Sequence, residues 1–140
     1  MLNLDLSTEF GTRVARRLRE ERIIWLVTVR ADLTPQPSPV WFYWDGETFL
    51  IYSQPDKQKL KNIADNQTVA LHFDGDGHGG DIIIISGEAY IDEAAKPADQ
   101  VEAYASKYQD GFVRIKTTAE GFATTYPIAI RVKPKRIHGH

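Results

Sequence analysis

The chain has 140 residues, of which 42% are hydrophobic and 26% are charged, and its formal net charge is −2. This size and composition predict one soluble domain spanning residues 1–140, with no nucleic-acid or membrane surface. Because the sequence has no cysteine, disulfides, thiolate metal ligands and cysteine nucleophiles are excluded. No apolar run approaches the ~20 residues that cross a bilayer. No N-terminal stretch is typical of a secretory signal, so we expect a cytoplasmic protein.

The first predicted element is an amphipathic helix over residues 8–22, with Ser7 or Thr8 as its N-cap. Its apolar residues recur every four positions, at Phe10, Val14 and Leu18. Its outer face carries Arg13, Arg16, Arg17, Arg19 and Arg22. Because Glu20 and Glu21 lie among these arginines, we expect a solvated surface rather than a site for a polyanion.

Six strands are predicted from runs of β-branched and aromatic residues, at 23–30, 40–44, 47–53, 68–73, 81–90 and 128–132. The first is expected to be central and buried on both faces. Residues 35–39 contain three prolines, which lack N–H donors, and are therefore an extended edge segment. Helices are predicted over 96–109 and 118–124, and the extreme C-terminus is expected to be disordered. Hairpin-linked strands with few helices favour an antiparallel barrel or sandwich.

The strongest functional signal lies in residues 49–63, where a strand ends at Ser53 and a helix follows. The apolar spacing at Leu60, Ile63 and Ala64 predicts this helix, with Asp56 as its N-cap. Lysines near a helix N-terminus are unfavourable, because the exposed N–H groups there carry partial positive charge; here they are Lys57, Lys59 and Lys61. A phosphate bound by these lysines, Ser53 and the N–H groups would make the arrangement favourable. Ordinary solvated lysines remain the alternative.

Four consecutive aromatic residues, 41–44, alternate across a predicted strand. One pair must face the core. We expect the other pair to face a cleft or a partner, because so small a chain has too little core to bury all four.

The glycine-rich segment 74–81 suggests three sites, none of which we predict. Its G-x-G-x-x-G pattern precedes a strand rather than the helix of a dinucleotide fingerprint. A calcium loop would need an acid where Ile85 stands. A divalent metal on His72, His78, Asp74, Asp76 and Asp81 is less favoured than a turn, since a glycine-rich connection is a poor rigid cage. No serine elbow or carboxylate pair is present, so no catalytic side chain is predicted.

Three motifs resemble the pyridoxamine 5′-phosphate oxidase-like superfamily. They are Pro39-Val-Trp-Phe-x-Trp-Asp-Gly-Glu, Leu50-Ile-Tyr-Ser-Gln-Pro-Asp-x-x-Lys-Leu-x-Asn-Ile, and Gly79-Gly-Asp-Ile-Ile-Ile-Ile-Ser-Gly. Within the superfamily, the likeness is greatest to the branch of oxidoreductases that depend on the deazaflavin coenzyme F420. The resemblance implies a mainly β fold with flanking helices, a six-stranded antiparallel split β-barrel of the FMN-binding type.

In that family two chains pair, and FMN or coenzyme F420 lies in the groove between them. The resemblance implies that Tyr52 and Ser53 lie beside the coenzyme's ring and ribityl chain. It places the phosphate on Lys57 and Lys59, with Lys61 or Asn62 in support, and the backbone of Pro39, Val40, Trp41 and Phe42 at the ring's polar edge. Gln58 stands where the oxidase that names the family has an arginine, which argues against that vitamin oxidase activity.

The resemblance therefore implies a homodimeric oxidoreductase that transfers a hydride between FMN or F420 and a small conjugated substrate. Such catalysis is mainly positioning. Two alternatives stay open: a non-catalytic protein that binds or sequesters a flavin nucleotide, and a structural dimer whose lysines are solvated.

Overall fold

In the computed structural model, which describes residues 3–140, strands and short helices alternate along the chain. The strands are β1 (Ile23–Val29), β2 (Pro35–Trp41), β3 (Tyr43–Trp44), β4 (Phe49–Ser53), β5 (Thr68–His72), β6 (Ile83–Ile91) and β7 (Ile128–Gly139). The helices are α1 (Glu9–Glu20), α2 (Gln58–Asp65), α3 (Glu102–Lys107), α4 (Gln109–Arg114) and α5 (Ala119–Thr125), with a 3₁₀ turn at Ala98–Gln100. None of the helices in this part of the chain is long and apolar enough to cross a membrane.

All seven strands form one antiparallel sheet in the order β2-β1-β5-β6-β7-β4-β3. The register of β6 on β7 shifts at Ser86/Gly87, where a bulge bends the sheet. A side chain at Gly87 would clash with the Lys133 carbonyl oxygen, so the bend requires glycine. The sheet curls far enough to bring β2 against β4, and the predicted split barrel with flanking helices is confirmed.

The strand count is seven rather than six, because the predicted strand 40–44 is divided at Phe42. Its first part continues the proline segment as β2, and its second part is the short strand β3. The edge position predicted for the prolines is confirmed, since β2 is the first strand of the sheet and pairs only with β1. Proline at every second position of β2 removes donors from this edge, which limits edge-to-edge aggregation.

The core lies inside the curled sheet, and a second apolar cluster lies on its outer side. The inner cluster joins α1 to residues such as Leu26, Phe42 and Ile130, and the outer one packs α3, α4 and α5 against Leu50 and Tyr52. Strand β4 is buried on both faces for this reason. Strand β1 is buried on only one face, so the prediction that it is buried on both was wrong: its other face carries Trp25 and Val27, which are partly exposed.

The helical segment 102–125 also explains the four aromatic residues, none of which is exposed. Phe42 and Trp44 belong to the inner cluster, as one pair was expected to do. Trp41 and Tyr43 pack on the outer cluster, where the Trp41 ring stacks on that of Tyr108 with centroids 4.5 Å apart. Both residues also border open space, Trp41 at one cleft and Tyr43 at a second cavity, so the expectation that this second pair faces a cleft agrees with the structure.

Two expectations for the C-terminal half of the chain were wrong, whereas the N-cap of α1 was predicted correctly. Thr8 caps α1 as predicted, its hydroxyl accepting from the Gly11 N–H at 3.0 Å. The C-terminus is ordered rather than disordered, because β7 runs to Gly139 and His140 exchanges backbone hydrogen bonds with Ile82 at 2.8 and 3.0 Å. The predicted helix 96–109 is broken into the 3₁₀ turn and α3, and helix α4 follows it.

The Tyr108 hydroxyl stabilises the break at Phe42, between β2 and β3. Tyr108 Oη accepts from the Phe42 N–H at 2.8 Å and lies 2.9 Å from the Phe42 carbonyl and 2.7 Å from the Arg22 carbonyl, to which its proton can be donated. Both Phe42 and Tyr108 are buried, so no water replaces these bonds. The hydroxyl thus satisfies the backbone N–H and carbonyl groups of Phe42, which a neighbouring strand would satisfy in a continuous sheet.

We expect Tyr108→Phe to lower the free energy of unfolding by about 1–3 kcal/mol, because it leaves the buried Phe42 N–H without an acceptor. Urea denaturation measures the loss. Tyr126→Phe is the matched control, since within residues 3–140 the Tyr126 hydroxyl makes no hydrogen bond and its loss should change stability by less than about 0.5 kcal/mol. Equal stability of the two variants would contradict the assignment.

Candidate functional site

A cleft of about 410 Å³ opens where the edge strand β2, the end of β4 and the start of α2 meet the α4–α5 region. Seven of the residues predicted for the coenzyme line it: Pro39, Val40, Trp41, Tyr52, Ser53, Lys57 and Lys59. The sequence did not predict its other lining residues, which are Gln54, Ile115, Phe122 and Tyr126. This volume is typical of a pocket for a small molecule or a coenzyme ring.

The strand-to-helix turn differs in detail from the prediction. Asp56 has a φ of 62°, in the left-handed region, and cannot act as the N-cap. Lys57 occupies the N-cap position of α2 with no side-chain hydrogen bond to the helix, and the first turn contains no acidic residue. Helix α2 therefore begins with free N–H groups and two lysines beside the cleft, without the carboxylate that Asp56 was expected to supply.

Lys57 and Lys59 have no neutralising partner nearby. Within residues 3–140, neither ammonium group lies within 4.0 Å of a carboxylate. Lys59 is partly buried, and its burial, together with the charge of Lys57, lowers the pKa of its ammonium. A bound anion would offset both effects, and a phosphate fits this chemistry best because ammonium groups and helix N–H groups both donate to it.

The opposite wall of the cleft is aromatic. The rings of Phe122 and Tyr126 stack with centroids 4.4 Å apart, and Trp41 stacks on Phe122 at 5.3 Å. Ile115, which is 48% exposed, forms the apolar rim. A flat ring system can lie against such a wall while its charged group reaches the lysines.

Two of the three hydroxyl groups that line the cleft, those of Tyr52 and Ser53, are already engaged. Tyr52 donates to the Lys96 carbonyl at 2.6 Å, and burial raises its pKa to about 12, an effect that the Arg131 charge partly opposes. Ser53 donates to the Gln54 carbonyl at 2.8 Å. Neither of these two groups is a ready proton donor at neutral pH, whereas the Tyr126 hydroxyl makes no hydrogen bond within residues 3–140.

Three of the predicted residues lie away from the cleft. Phe42 is fully buried in the inner core, and Lys61 is exposed on α2 without lining the cleft. Asn62 is 2% exposed, and its amide donates to Thr28 Oγ1 and Gln36 Oε1, both at 2.9 Å. Asn62 thus fixes α2 to the sheet and positions the two cleft lysines indirectly.

The residues that the sequence missed come from the C-terminal helical segment. Phe122 and Tyr126 are four residues apart, a spacing that places both on one face of a helix. That signal existed, but it is equally typical of a helix packed on the core. Only the fold shows that this face borders the lysine-bearing turn.

The glycine-rich loop forms a turn, as the sequence favoured. Asp76 Oδ1 accepts from the N–H groups of His78 and Gly80, at 2.7 and 3.0 Å. Asp81 forms ion pairs with Arg13 and Arg17 at 2.6 and 3.0 Å. In the described part of the chain, no three histidine or acidic side chains lie together as metal ligands would.

Comparison with known proteins places this fold and cleft in a family. Residues 10–140 match the sequence pattern of pyridoxamine 5′-phosphate oxidase. The chain belongs to the pyridoxamine 5′-phosphate oxidase family. No functionally curated protein matches it in sequence.

Solved structures share the fold of this family member at low sequence identity. An F420 reductase is 24% identical, with a TM-score of 0.64, 88% of this chain covered and 94% of the other. A FAD-binding protein from Mesorhizobium loti is 13% identical, with a TM-score of 0.65 and 88% of each chain covered. The heme storage protein HutZ from Vibrio cholerae is 13% identical, with a TM-score of 0.65, 94% of this chain covered and 95% of the other. These likenesses establish the fold alone.

Proposed function

We propose that this protein is an oxidoreductase that uses FMN or coenzyme F420, bound in the cleft, to transfer a hydride to or from a small conjugated substrate. The observation that supports this best is the combination in one cleft of two unneutralised lysines and an aromatic wall. A phosphate-bearing ring compound satisfies both features, and the family and the F420 reductase of the same fold favour a flavin or deazaflavin over other such compounds.

Different residues of the cleft would bind different parts of the coenzyme. Lys57, Lys59 and the first N–H groups of α2 would hold the phosphate, and the aromatic wall would contact the ring. The backbone at Pro39 to Trp41 would lie at the ring's edge, as the motif resemblance implies. The bound coenzyme supplies the hydride chemistry, and the protein orients ring and substrate and keeps water out.

We propose further that two chains pair and share the coenzyme at their interface. The supporting observation is the partly exposed apolar face of β1, with Trp25, Val27 and Val29 aligned on it and Ile23 40% exposed at its end. A soluble chain normally covers such a strip of central strand. Size-exclusion chromatography with light scattering tests the pairing, and a monomer at micromolar concentration would contradict it.

A second candidate is a protein that binds or sequesters a flavin nucleotide without turnover. It is favoured by the engaged hydroxyl groups of Tyr52 and Ser53, neither of which is free to act as an acid or a base. Hydride transfer between aligned rings needs no such group, so the oxidoreductase remains the better supported function.

The absorbance spectrum of protein titrated with FMN and with F420 tests the proposal first. Binding of either coenzyme is expected to shift its visible band, and competition between the two distinguishes FMN from F420. Reduced coenzyme mixed with a panel of enones then tests turnover. Binding without oxidation of the coenzyme would support sequestration, and binding of neither coenzyme would refute both functions.

We expect Lys59→Met to weaken binding of the preferred coenzyme by about 1.5–3 kcal/mol, which is about 10- to 150-fold in Kd, because it removes a charge-assisted hydrogen bond to phosphate. Lys61→Met is the matched control, since Lys61 lies on the same helix outside the cleft and its loss should leave Kd nearly unchanged. Isothermal titration calorimetry measures both Kd values. Equal losses of coenzyme affinity in the two variants would show that the lysine charges of α2 act on the coenzyme only at long range.

A further inference from the structure

A second cavity, of about 650 Å³, lies between α1 and α3 above the short strand β3. Its walls are mainly apolar, with Leu18 from α1, Tyr43 and Trp44 from β3, and Ala103 from α3. Among residues 3–140, none lines both this cavity and the cleft. We call it the α1–α3 cavity; it is separate from the site proposed for the coenzyme.

Lys107 gives the α1–α3 cavity a positive charge that forms no ion pair within the described residues. Its ammonium donates to the Phe42 carbonyl at 2.8 Å and lies 3.7 Å from the centroid of the Phe42 ring and 5.3 Å from that of Tyr108. Within the described residues no carboxylate lies within 4.0 Å of it. An ammonium group has three donors, so the carbonyl leaves two without an acceptor among residues 3–140. Such a partly buried cation favours binding of an anion.

We propose that the α1–α3 cavity binds a small molecule with one carboxylate on an apolar body, the carboxylate pairing with Lys107. The apolar walls suit the body of such a ligand, and Lys107 suits its charge. Arg19, which also lines the cavity and is largely exposed, adds positive charge at the solvent side. A dianion such as a phosphate is less well matched, because the walls are apolar and only one buried donor group is present.

The charges around Lys107 make the binding depend on pH. Burial lowers the pKa of Lys107 to about 8, the Arg22 charge adds to this effect, and Glu21 opposes it. Arg19 on α1 and the Tyr108 ring at the start of α4 complete its surroundings. A ligand carboxylate needs the protonated amine, so affinity is expected to hold below pH 8 and to fall as the pH rises past that value. An exposed lysine would keep its charge to about pH 10.

The test uses decanoate as the probe and decanol as its uncharged counterpart, titrated into the full chain at pH 7 by calorimetry. We expect decanoate to bind at least 10-fold more tightly than decanol, and Lys107→Met to remove this difference. Lys61→Met, outside the cavity, should bind decanoate as the unaltered chain does. Ala103→Phe, which alters an exposed position on the cavity wall, should weaken both probes.

Several outcomes would overturn the proposal. They are no binding of decanoate, equal affinity for decanoate and decanol, unchanged decanoate affinity in Lys107→Met, and decanoate affinity that persists unchanged to pH 10. Because Ala103→Phe changes an exposed side chain, it keeps the proposal testable even if Lys107→Met fails to fold. FMN or F420 added beforehand should not displace decanoate, which separates this site from the cleft.

Discussion

Phe112→Ala is expected to lower the free energy of unfolding by about 3–5 kcal/mol, the usual range for a large aromatic side chain removed from a packed core. Phe112 is 1% exposed and belongs to the outer cluster. Its ring centroid lies 5.2 Å from that of Phe122 and 6.0 Å from that of Trp41. Alanine would leave a cavity at the junction of α4, α5 and the sheet, and rings locked in a stack cannot relax to fill it.

Chemical denaturation in guanidinium measures the loss, and Val113→Ala is the matched control. Val113 is the next residue on α4 but is 68% exposed, so its truncation should change stability by less than about 0.5 kcal/mol. If Phe112→Ala and Val113→Ala had equal effects, the outer cluster would not be a packed core. We also expect Phe112→Ala to weaken coenzyme binding, because Phe122 on the cleft wall would lose its support.

The sequence predicted most of the sheet because its strands have strong local signals. Ile23 to Val29 and Ile83 to Ile91 are rich in β-branched residues and are bounded by turn residues, and both are strands in the structure. The division at Phe42 could not be predicted in this way, since residues 40–44 are uniformly apolar. The break depends on the Tyr108 hydroxyl, a partner 66 residues away along the chain.

The sequence predicted only those residues of the cleft that belong to local motifs. The strand-turn-helix segment supplied Tyr52, Ser53, Lys57 and Lys59, which do lie together. Asp56 was wrongly expected to cap α2, because its left-handed backbone depends on how the turn packs and not on residue type alone. The aromatic wall was missed, since its ring pair gives the same helical spacing as an ordinary core-facing helix.

The burial of the Arg17 side chain could not be predicted from the sequence. The arginine-rich face of α1 was expected to be solvated, yet Arg17 is 8% exposed. Its guanidinium donates to the carbonyl of Asp74 at 2.8 Å, pairs with the Asp81 carboxylate at 3.0 Å, and lies 4.9 Å from the centroid of the Phe73 ring. The glycine-rich loop folds back over α1 and buries this one arginine, which helical periodicity alone does not indicate.

We expect Arg17→Met to lower the free energy of unfolding by about 3 kcal/mol at pH 7. This is the upper end of the range for lost hydrogen bonds to charged groups, since Arg17 gives up its bond to the Asp74 carbonyl and its pairs with the partly exposed carboxylates of Asp81 and Glu21. Methionine keeps the apolar contact with Phe73 but leaves the Asp74 carbonyl without its donor. Arg16→Met is the control, since Arg16 is exposed and within residues 3–140 forms no ion pair. Urea denaturation of both variants measures the difference.

The pH dependence separates the ion pairs of Arg17, with Asp81 and Glu21, from its hydrogen bond to the Asp74 carbonyl. The Arg13 hydrogen bond, with the Arg17 charge in support, lowers the pKa of Asp81 below the ordinary value of an aspartate. A carboxylate with a lowered pKa contributes stability above its unfolded value, and that contribution disappears as the pH falls through the folded value. The stability difference between Arg17→Met and the unaltered chain should therefore be full at pH 6–7 and shrink below about pH 4. A difference that stayed constant to pH 2.5 would assign the loss to the hydrogen bond with the Asp74 carbonyl and not to the ion pairs.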